Sequence, residues 1–562
     1  MTRRKVFVMA LALTAVSLGG WRLAAQGAAY DVLIRNAQVV DGTGNPFFYG
    51  DVAVRGDRIA AVGNLGNATA RRVIDGTGLV VAPGFIDLHT HSDGALLEDG
   101  TAQSKVRQGN TLDILGEGSS VAPRDGMKAE GNQDWTTFTG YFEKLEKSGT
   151  SINAASYVSE GQVRRVVMGF DTGPASPAQV EQMKKLVRRS FEEGAIGLMG
   201  RFESGGPEHQ NEVIELAKIA KEFGTHYASH IGSEGYEQQK EFDFIMRVAK
   251  EVKIPAHILH FKIRGQKIWS QMPGFVKQVQ DARAQGFDIT ANVYAYTAMS
   301  HGWSANFPLW MREGGPDKFA ERLAQAKKDP ALREKLKKDP DFIAWSEEHG
   351  WWEGIVMSRA RTPTNKEYEG MSVAEIAKIR GDKDPADTII DVMAEDGGGV
   401  SGVFHNQSEE NVRLVISQPW VAPASDGSAI NLEATGVPHP RNYGNNVRVL
   451  GKYVREDRLL TLEDAVRKMT SLPAQILGLP DRGQLRQGFV ADIVLFDPKT
   501  VKDTNTFAKP KSYATGVPYV LVNGVLVIDK NEHTGAKPGK AVKGHGYKAP
   551  AAKATNSSAA AQ

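Results

Sequence analysis

The chain has 562 residues, 41% of them hydrophobic and 24% charged, with no cysteine and a formal net charge of +2. This length exceeds one small core, and the balance of apolar and charged residues is that of an ordinary globular protein. The absence of cysteine excludes disulfides, thiolate metal ligands and a cysteine nucleophile, and the near-neutral charge leaves no broad basic field for nucleic acid.

The first element is a segment of processing rather than of fold. Arg3, Arg4 and Lys5 precede an apolar run from Val6 to Leu18, and "LAAQGAA" follows. This is the pattern of a cleavable export signal over residues 1–29, and the apolar run is too short for a comfortable membrane span. The adjacent arginines leave both the general secretory and the twin-arginine route open. Cleavage near Ala25 to Ala29 removes Arg3, Arg4, Lys5 and Arg22 and takes the net charge from +2 to −2. The expectation is a protein exported to a bacterial periplasm, with no stable membrane association after cleavage and no nucleic-acid partner.

Residues 30–80 then show short alternating apolar runs broken by Asp-Gly, Gly-Asn and Gly-Asp pairs, as in consecutive antiparallel strands. The same texture returns in residues 481–540, in "GFVADIVLFDP" and "YVLVNGVLVID". Between them, over residues 81–480, strand-like runs alternate with amphipathic stretches such as "SPAQVEQMKKLVRRSFEEG", which points to parallel α/β architecture. The expected fold class is therefore α/β: a (β/α)8 TIM-like barrel inserted in a small β-sandwich domain built from both chain ends. Residues 312–385 interrupt the alternation with a charged, helical stretch free of strands, read as an insertion over one rim. Residues 541–562 are small, basic and low in complexity, and are expected to be disordered.

Within this frame one stretch carries chemistry. The apolar run "VVAPGFIDL" ends in His89-Thr90-His91, and side chains two apart on a strand face the same way. Two imidazoles on one face make half of a metal site. Barrel active sites lie at the carboxyl ends of the strands, so the remaining ligands must also follow apolar runs. Glu117 follows "TLDIL", His230 ends "THYASH", His260 ends "PAHILH" and Asp426 follows "WVAPAS". These nitrogen and oxygen donors suit zinc and tolerate other divalent metals. His226 and His257 are read as structural.

The stretches "PGFIDLHTHSD", "YASHI", "ILHFKIRG", "VYAYTA", "SDGSAI", "HPRNYG", "KMTSLPAQILGL" and "RGQLRQGFVADIVLFDP" together resemble the amidohydrolase superfamily and, within it, the N-acyl-D-amino-acid deacylases (D-aminoacylases), from about Tyr30 to Lys540. The resemblance implies a (β/α)8 barrel with a small β-sandwich and one or two zinc ions that hydrolyse an amide. It also implies that His89, His91 and Asp426 hold one metal and His230 and His260 the other. Where the family carries a metal-binding cysteine in a GNCG stretch, this chain has Gly116-Glu117-Gly118, so Glu117 is the natural substitute. A carboxylate in place of a thiolate loosens zinc preference and bridges two ions more readily.

The expected reaction is hydrolysis by a metal-activated water, with Asp426 as the base that takes its proton and returns it to the leaving amine. An N-acyl amino acid carries a free carboxylate, which calls for a fixed cation. Arg441 is the leading candidate, since a guanidinium grips a carboxylate with two parallel hydrogen bonds, and Lys262 is second. Tyr294 and Tyr296 are candidate donors to the oxyanion or the carboxylate. Cyclic-imide opening, dipeptide cleavage and a non-catalytic binding relative remain the alternatives.

Overall fold

A computed structural model describes residues 29–127, 133–201, 207–231 and 234–549. The expected export signal lies outside the described residues except for Ala29. No helix among the described residues is long and apolar enough to cross a membrane.

Both chain ends meet in one nine-stranded sheet. Tyr30–Val39 pairs antiparallel with Phe48–Arg55, which pairs antiparallel with Arg58–Gly63, while Ala70–Asp75 and Val80–Pro83 run parallel to the first strand. Ile493–Phe496 then pairs antiparallel with Val80–Pro83, and Tyr519–Val522, Val525–Asp529 and Glu532–His533 continue the sheet outward. Val32, Ile34, Val52, Val81, Ile493 and Leu521 form a single buried cluster drawn from both ends of the sequence.

The middle of the chain is built from parallel strands. Among the described residues these are, in chain order, Phe85–Asp87, Asn110–Leu115, Asn153–Ser156 continued by Val158–Ser159, Leu198–Arg201, Tyr227–His230, Ala256–Ile258, Ile289–Val293 and Val421–Pro423, each parallel to the next. A parallel bridge between Thr90 and Gly427 returns the last segment to the first. Asn110–Leu115 and Ile289–Val293 are buried at every position, as parallel strands covered on both faces are. The helices between them bury one stripe. In Pro177–Glu192 the stripe is Met183, Val187, Ser190 and Phe191, and the helix begins with Pro177 and a reciprocal Ser176/Gln179 capping box.

Two expectations are corrected here. The stretch 312–385 is not free of strands. Ile355–Arg359 lies inside it and pairs antiparallel with Ser401–Phe404, which also pairs with Met299–Gly302. These strands and the helices around them bury a core of their own, including Trp303, Phe319, Phe342, Ile389 and Phe404. The short run "IVM" carries too little periodicity to be recognised beside the charged helices. Nor is the tail disordered from residue 541. Val542 N–H donates to the Ala154 carbonyl at 2.8 Å, Gly544 N–H to that of Gly194 at 3.1 Å and Lys548 N–H to that of Glu192 at 2.9 Å, with Val542 buried. Backbone pairing needs no apolar periodicity, so composition misses it.

Candidate metal centre

The six expected donors come together. His89 and His91 follow Phe85–Asp87, Glu117 follows Asn110–Leu115, His230 closes Tyr227–His230, His260 follows Ala256–Ile258, and Asp426 follows Val421–Pro423. His91 Nε2 lies 2.9 Å from Asp426 Oδ1 and 3.5 Å from Glu117 Oε2; His89 Nε2 lies 3.5 Å and 3.8 Å from the same two oxygens. The rings of His230 and His260 are 4.5 Å apart, and those of His89 and His260 are 5.1 Å apart. Among these six, three groups have donor atoms mutually within 4.8 Å: His89, His260 and Asp426; His89, His91 and Glu117; and Glu117, His230 and His260. Glu117 belongs to two of them.

Backbone geometry puts the carboxylates there. Gly116 takes φ +102°, and a Cβ on it would lie 2.7 Å from the Tyr157 carbonyl oxygen, so only glycine makes the turn that presents Glu117. Asp426 itself sits at φ +49° and His260 at φ +30°, conformations an L residue keeps only when its surroundings hold it there. For Asp426 the holding contacts are its N–H to the His89 carbonyl and the His91 N–H to the Gly427 carbonyl, both 2.9 Å.

The residues fit a divalent ion. Four donors at about 2.1 Å from a tetrahedral zinc stand roughly 3.4 Å from one another, close to the spacings here. His89 has 1% side-chain exposure, and neither ring nitrogen reaches a hydrogen-bond partner among the described residues. A buried imidazole left so is costly unless an ion completes it. Burial works to raise the Glu117 carboxyl, but the imidazoles of His89, His230 and His91 overcome it and hold the group well below the usual carboxylate range. At Asp426 burial is likewise overcome by Arg441, His89 and His91. Burial lowers His89, against the pull of Asp426 and Glu117. The set is thus ionised carboxylates facing at least one neutral imidazole, the protonation states a metal requires. His91, with a 40% exposed side chain, marks the solvent side.

Of the expected substrate groups, three stand at the edge of the cluster. Arg441 is 5% exposed in its side chain, places Nη1 2.8 Å from Asp426 Oδ2 and lies 4.8 Å above the Tyr294 ring. Lys262 Nζ is 5.4 Å from the same ring. The Tyr294 hydroxyl accepts a hydrogen bond from Gln407 Nε2 at 2.6 Å. Tyr296 is a correction. Its hydroxyl donates to Asn505 Oδ1 at 3.1 Å and approaches Asp503 at 3.3 Å, and its ring lies under Arg448. The strand ends at Val293, and beyond it the chain carries the Tyr296 side chain to Asp503 and Asn505.

Sequence reasoning missed the groups behind the donors. Asp87 Oδ1 accepts the Ser425 N–H at 2.9 Å, and the wholly buried Lys105 donates to Asp87 Oδ2 at 3.0 Å and to Ser425 Oγ at 2.6 Å, tying the His89 strand to the Asp426 strand. Glu234 lies against His260 and Lys262. Asp87 is visible in "FIDLHTH", but a lone lysine or glutamate reads as surface. In a separate group of donors, Glu160, His209 and Glu212, Arg164 pairs with Glu212 and His209 Nε2 lies 2.9 Å from Glu160 Oε1.

Ionised oxygen and imidazole donors converging at the carboxyl ends of parallel strands, with a fixed guanidinium beside them, define a metal-dependent hydrolase. The chain belongs to the amidohydrolase family, which matches residues 72–328 and 388–528. It is 31% identical to the N-acyl-D-glutamate deacylase of Alcaligenes xylosoxydans xylosoxydans, over 89% of this chain and 93% of that one. It is similar in structure to the N-acyl-D-glutamate deacylase from Bordetella bronchiseptica complexed with zinc and a phosphonate mimic of the tetrahedral intermediate, with a TM-score of 0.76, 28% identity, and coverage of 92% of this chain and 99% of that one. A D-aminoacylase with a binuclear metal centre has a TM-score of 0.75 at 29% identity, covering 92% of this chain and 100% of that one.

Proposed function

We propose that the protein is an exported deacylase of N-acyl-D-amino acids, working with zinc or a related divalent metal in a (β/α)8 barrel whose companion β-sandwich is built from both chain ends. The observation that carries the reading is the approach of Arg441 to within 2.8 Å of Asp426 at the rim of a six-donor centre, which sets a carboxylate-binding guanidinium beside the proposed base. The residue pattern "LAAQGAA" after a short apolar run supports export.

A bound divalent ion supplies Lewis acidity, which acidifies a water at neutral pH and polarises the scissile carbonyl. His89, His91 and Asp426 would hold one ion and His230 and His260 a second, and Glu117, which belongs to two of the donor groups, would serve as a further carboxylate ligand. Asp426 takes the proton of the attacking water and returns it to the leaving amine. Arg441 and Lys262 fix the free carboxylate of the substrate, and Tyr294 aligns it from between the two cations. Fixing that carboxylate relative to the reacting carbonyl sets which enantiomer presents its amide to the centre.

The test is elemental analysis of the purified mature protein together with hydrolysis of paired N-acetyl-D- and N-acetyl-L-amino acids. One or two ions per chain with D-selective release of free amino acid is the expected result. A folded, metal-free protein overturns the metal centre, and turnover restricted to L substrates overturns the substrate class.

A further inference from the structure

Glu234 lies four residues beyond His230 in the sequence, shortly before the helix Gln238–Val248, and its side chain is 1% exposed. Its Oε1 is 2.6 Å from His260 Nδ1 and 2.5 Å from Lys262 Nζ, and those two nitrogens are themselves 2.7 Å apart. Three polar atoms therefore sit within hydrogen-bond distance of one another in a buried position. Oε2 of Glu234 meets no hydrogen-bond partner among the described residues, so Oε1 carries all of its side-chain hydrogen bonding.

The triangle poses a question of proton placement. With Nδ1 of His260 occupied by these two partners, Nε2 is the nitrogen left for an ion. An imidazole binds a metal through an unprotonated nitrogen, so the single ring proton has to reside on Nδ1. Lys262 by itself demands the reverse. An ammonium has donors and no acceptor, so at 2.7 Å it directs an N–H at Nδ1 and sends the ring proton to Nε2. A carboxylate only accepts. Glu234 Oε1 can receive the Nδ1–H of His260 and an N–H of Lys262 together, and it is placed between them to do so.

The geometry points to Glu234 as a positioning residue that sets the tautomer of His260: it holds the ring proton on Nδ1 against the neighbouring Lys262 ammonium and so keeps Nε2 free to bind metal. The inference rests on the reading of His260 as a ligand. It separates two properties that a purely structural carboxylate would not, because the harm done by losing Glu234 comes from Lys262 and disappears when Lys262 is also removed.

The experiment is metal content by elemental analysis after chelator stripping and reloading with zinc, with circular dichroism on the same samples. Glu234→Ala is expected to keep its secondary structure and to bind the ion of His260 roughly 10- to 100-fold more weakly, the usual size of the effect when the partner behind a ligating histidine is changed, because the Lys262 ammonium then directs the ring proton to Nε2. Glu234→Gln, whose side-chain carbonyl still accepts from Nδ1, retains the wild-type content. The double variant Glu234→Ala/Lys262→Met regains the ion that Glu234→Ala loses, although Lys262→Met by itself weakens substrate binding. Full metal content in Glu234→Ala overturns the proposal, and so does a double variant as deficient as the single one. Should Glu234→Ala not fold, nitrogen-15 NMR of the stripped wild-type protein decides: a neutral His260 with its proton on Nδ1 upholds the proposal, and one with its proton on Nε2 overturns it. A wild-type protein that takes up no ion refutes the metal centre itself, whereas two ions in both wild type and Glu234→Ala refute only the role of Glu234.

Discussion

His226 is wholly buried, with Nε2 3.2 Å from the Tyr157 hydroxyl, and burial brings its pKa down to about 4. An unfolded histidine protonates near 6.5. Between those values the unfolded chain binds a proton that the native chain refuses. The stabilisation is therefore fully present above about pH 6.5 and is lost as pH falls through 6.5 towards 4, at a cost of about 3 kcal/mol. His257, also buried and lowered, acts in the same direction. A His226→Gln variant is expected to lose less of its denaturation midpoint between pH 7 and pH 4.5 than the wild type; an equal loss in both places the acid sensitivity elsewhere. Both histidines hydrogen-bond inside the fold, His257 to Thr290 and Asn292, and were separable from His230 and His260 in the sequence only because they precede the carboxyl ends of their strands. The six donors were legible because each closes an apolar run with a residue that packing alone does not favour. Lys105 and Glu234 were not, since a buried ion pair leaves no periodic mark and its partner is far away in sequence.

At the scale of the element, the carboxyl-terminal segment behaves as an added strap. Gly539 N–H donates to the Thr150 carbonyl at 2.7 Å, and a Cβ on Gly539 would come within 2.1 Å of the Ile152 carbonyl oxygen, so the glycine permits the close approach. Val542 then buries its side chain, and Gly544 and Lys548 add backbone bonds to Gly194 and Glu192. Burying one valine contributes about 1.5–3 kcal/mol, and each net hydrogen bond about 1 kcal/mol. Truncation after Pro538 is accordingly expected to lower stability by at least 3 kcal/mol, read as a shift of the urea midpoint with little change in KM. An unmoved midpoint would mean that these contacts contribute nothing in solution. Strand and helix alternation was readable through the middle of the chain because the parallel strands are uniformly apolar and the helices amphipathic. The strap and the strand Ile355–Arg359 were not, because each is held by partners distant in sequence rather than by a pattern of its own.

Across the whole molecule, the sheet made from both chain ends and the strands that carry the metal centre are joined without a linker. Val80–Pro83 pairs with Ile493–Phe496, and after Gly84 the chain passes directly into Phe85–Asp87 and then His89 and His91. Asn153 strengthens the joint by donating from its side chain to the Thr111 carbonyl at 3.0 Å and to Asp492 Oδ2 at 3.1 Å. An ion bound at the centre stabilises only the native chain, by about 4 kcal/mol at a thousand times its dissociation constant. If the two parts unfold together, that stabilisation reaches residues with no contact to the ion. Hydrogen exchange of peptides covering Tyr519–Asp529 in the sheet and Ile289–Val293 in the middle is therefore expected to slow in parallel when zinc is restored to the stripped protein. Slowing confined to Ile289–Val293 would show that the sheet opens on its own, and would make Val80–Pro83 a hinge rather than part of one cooperative unit.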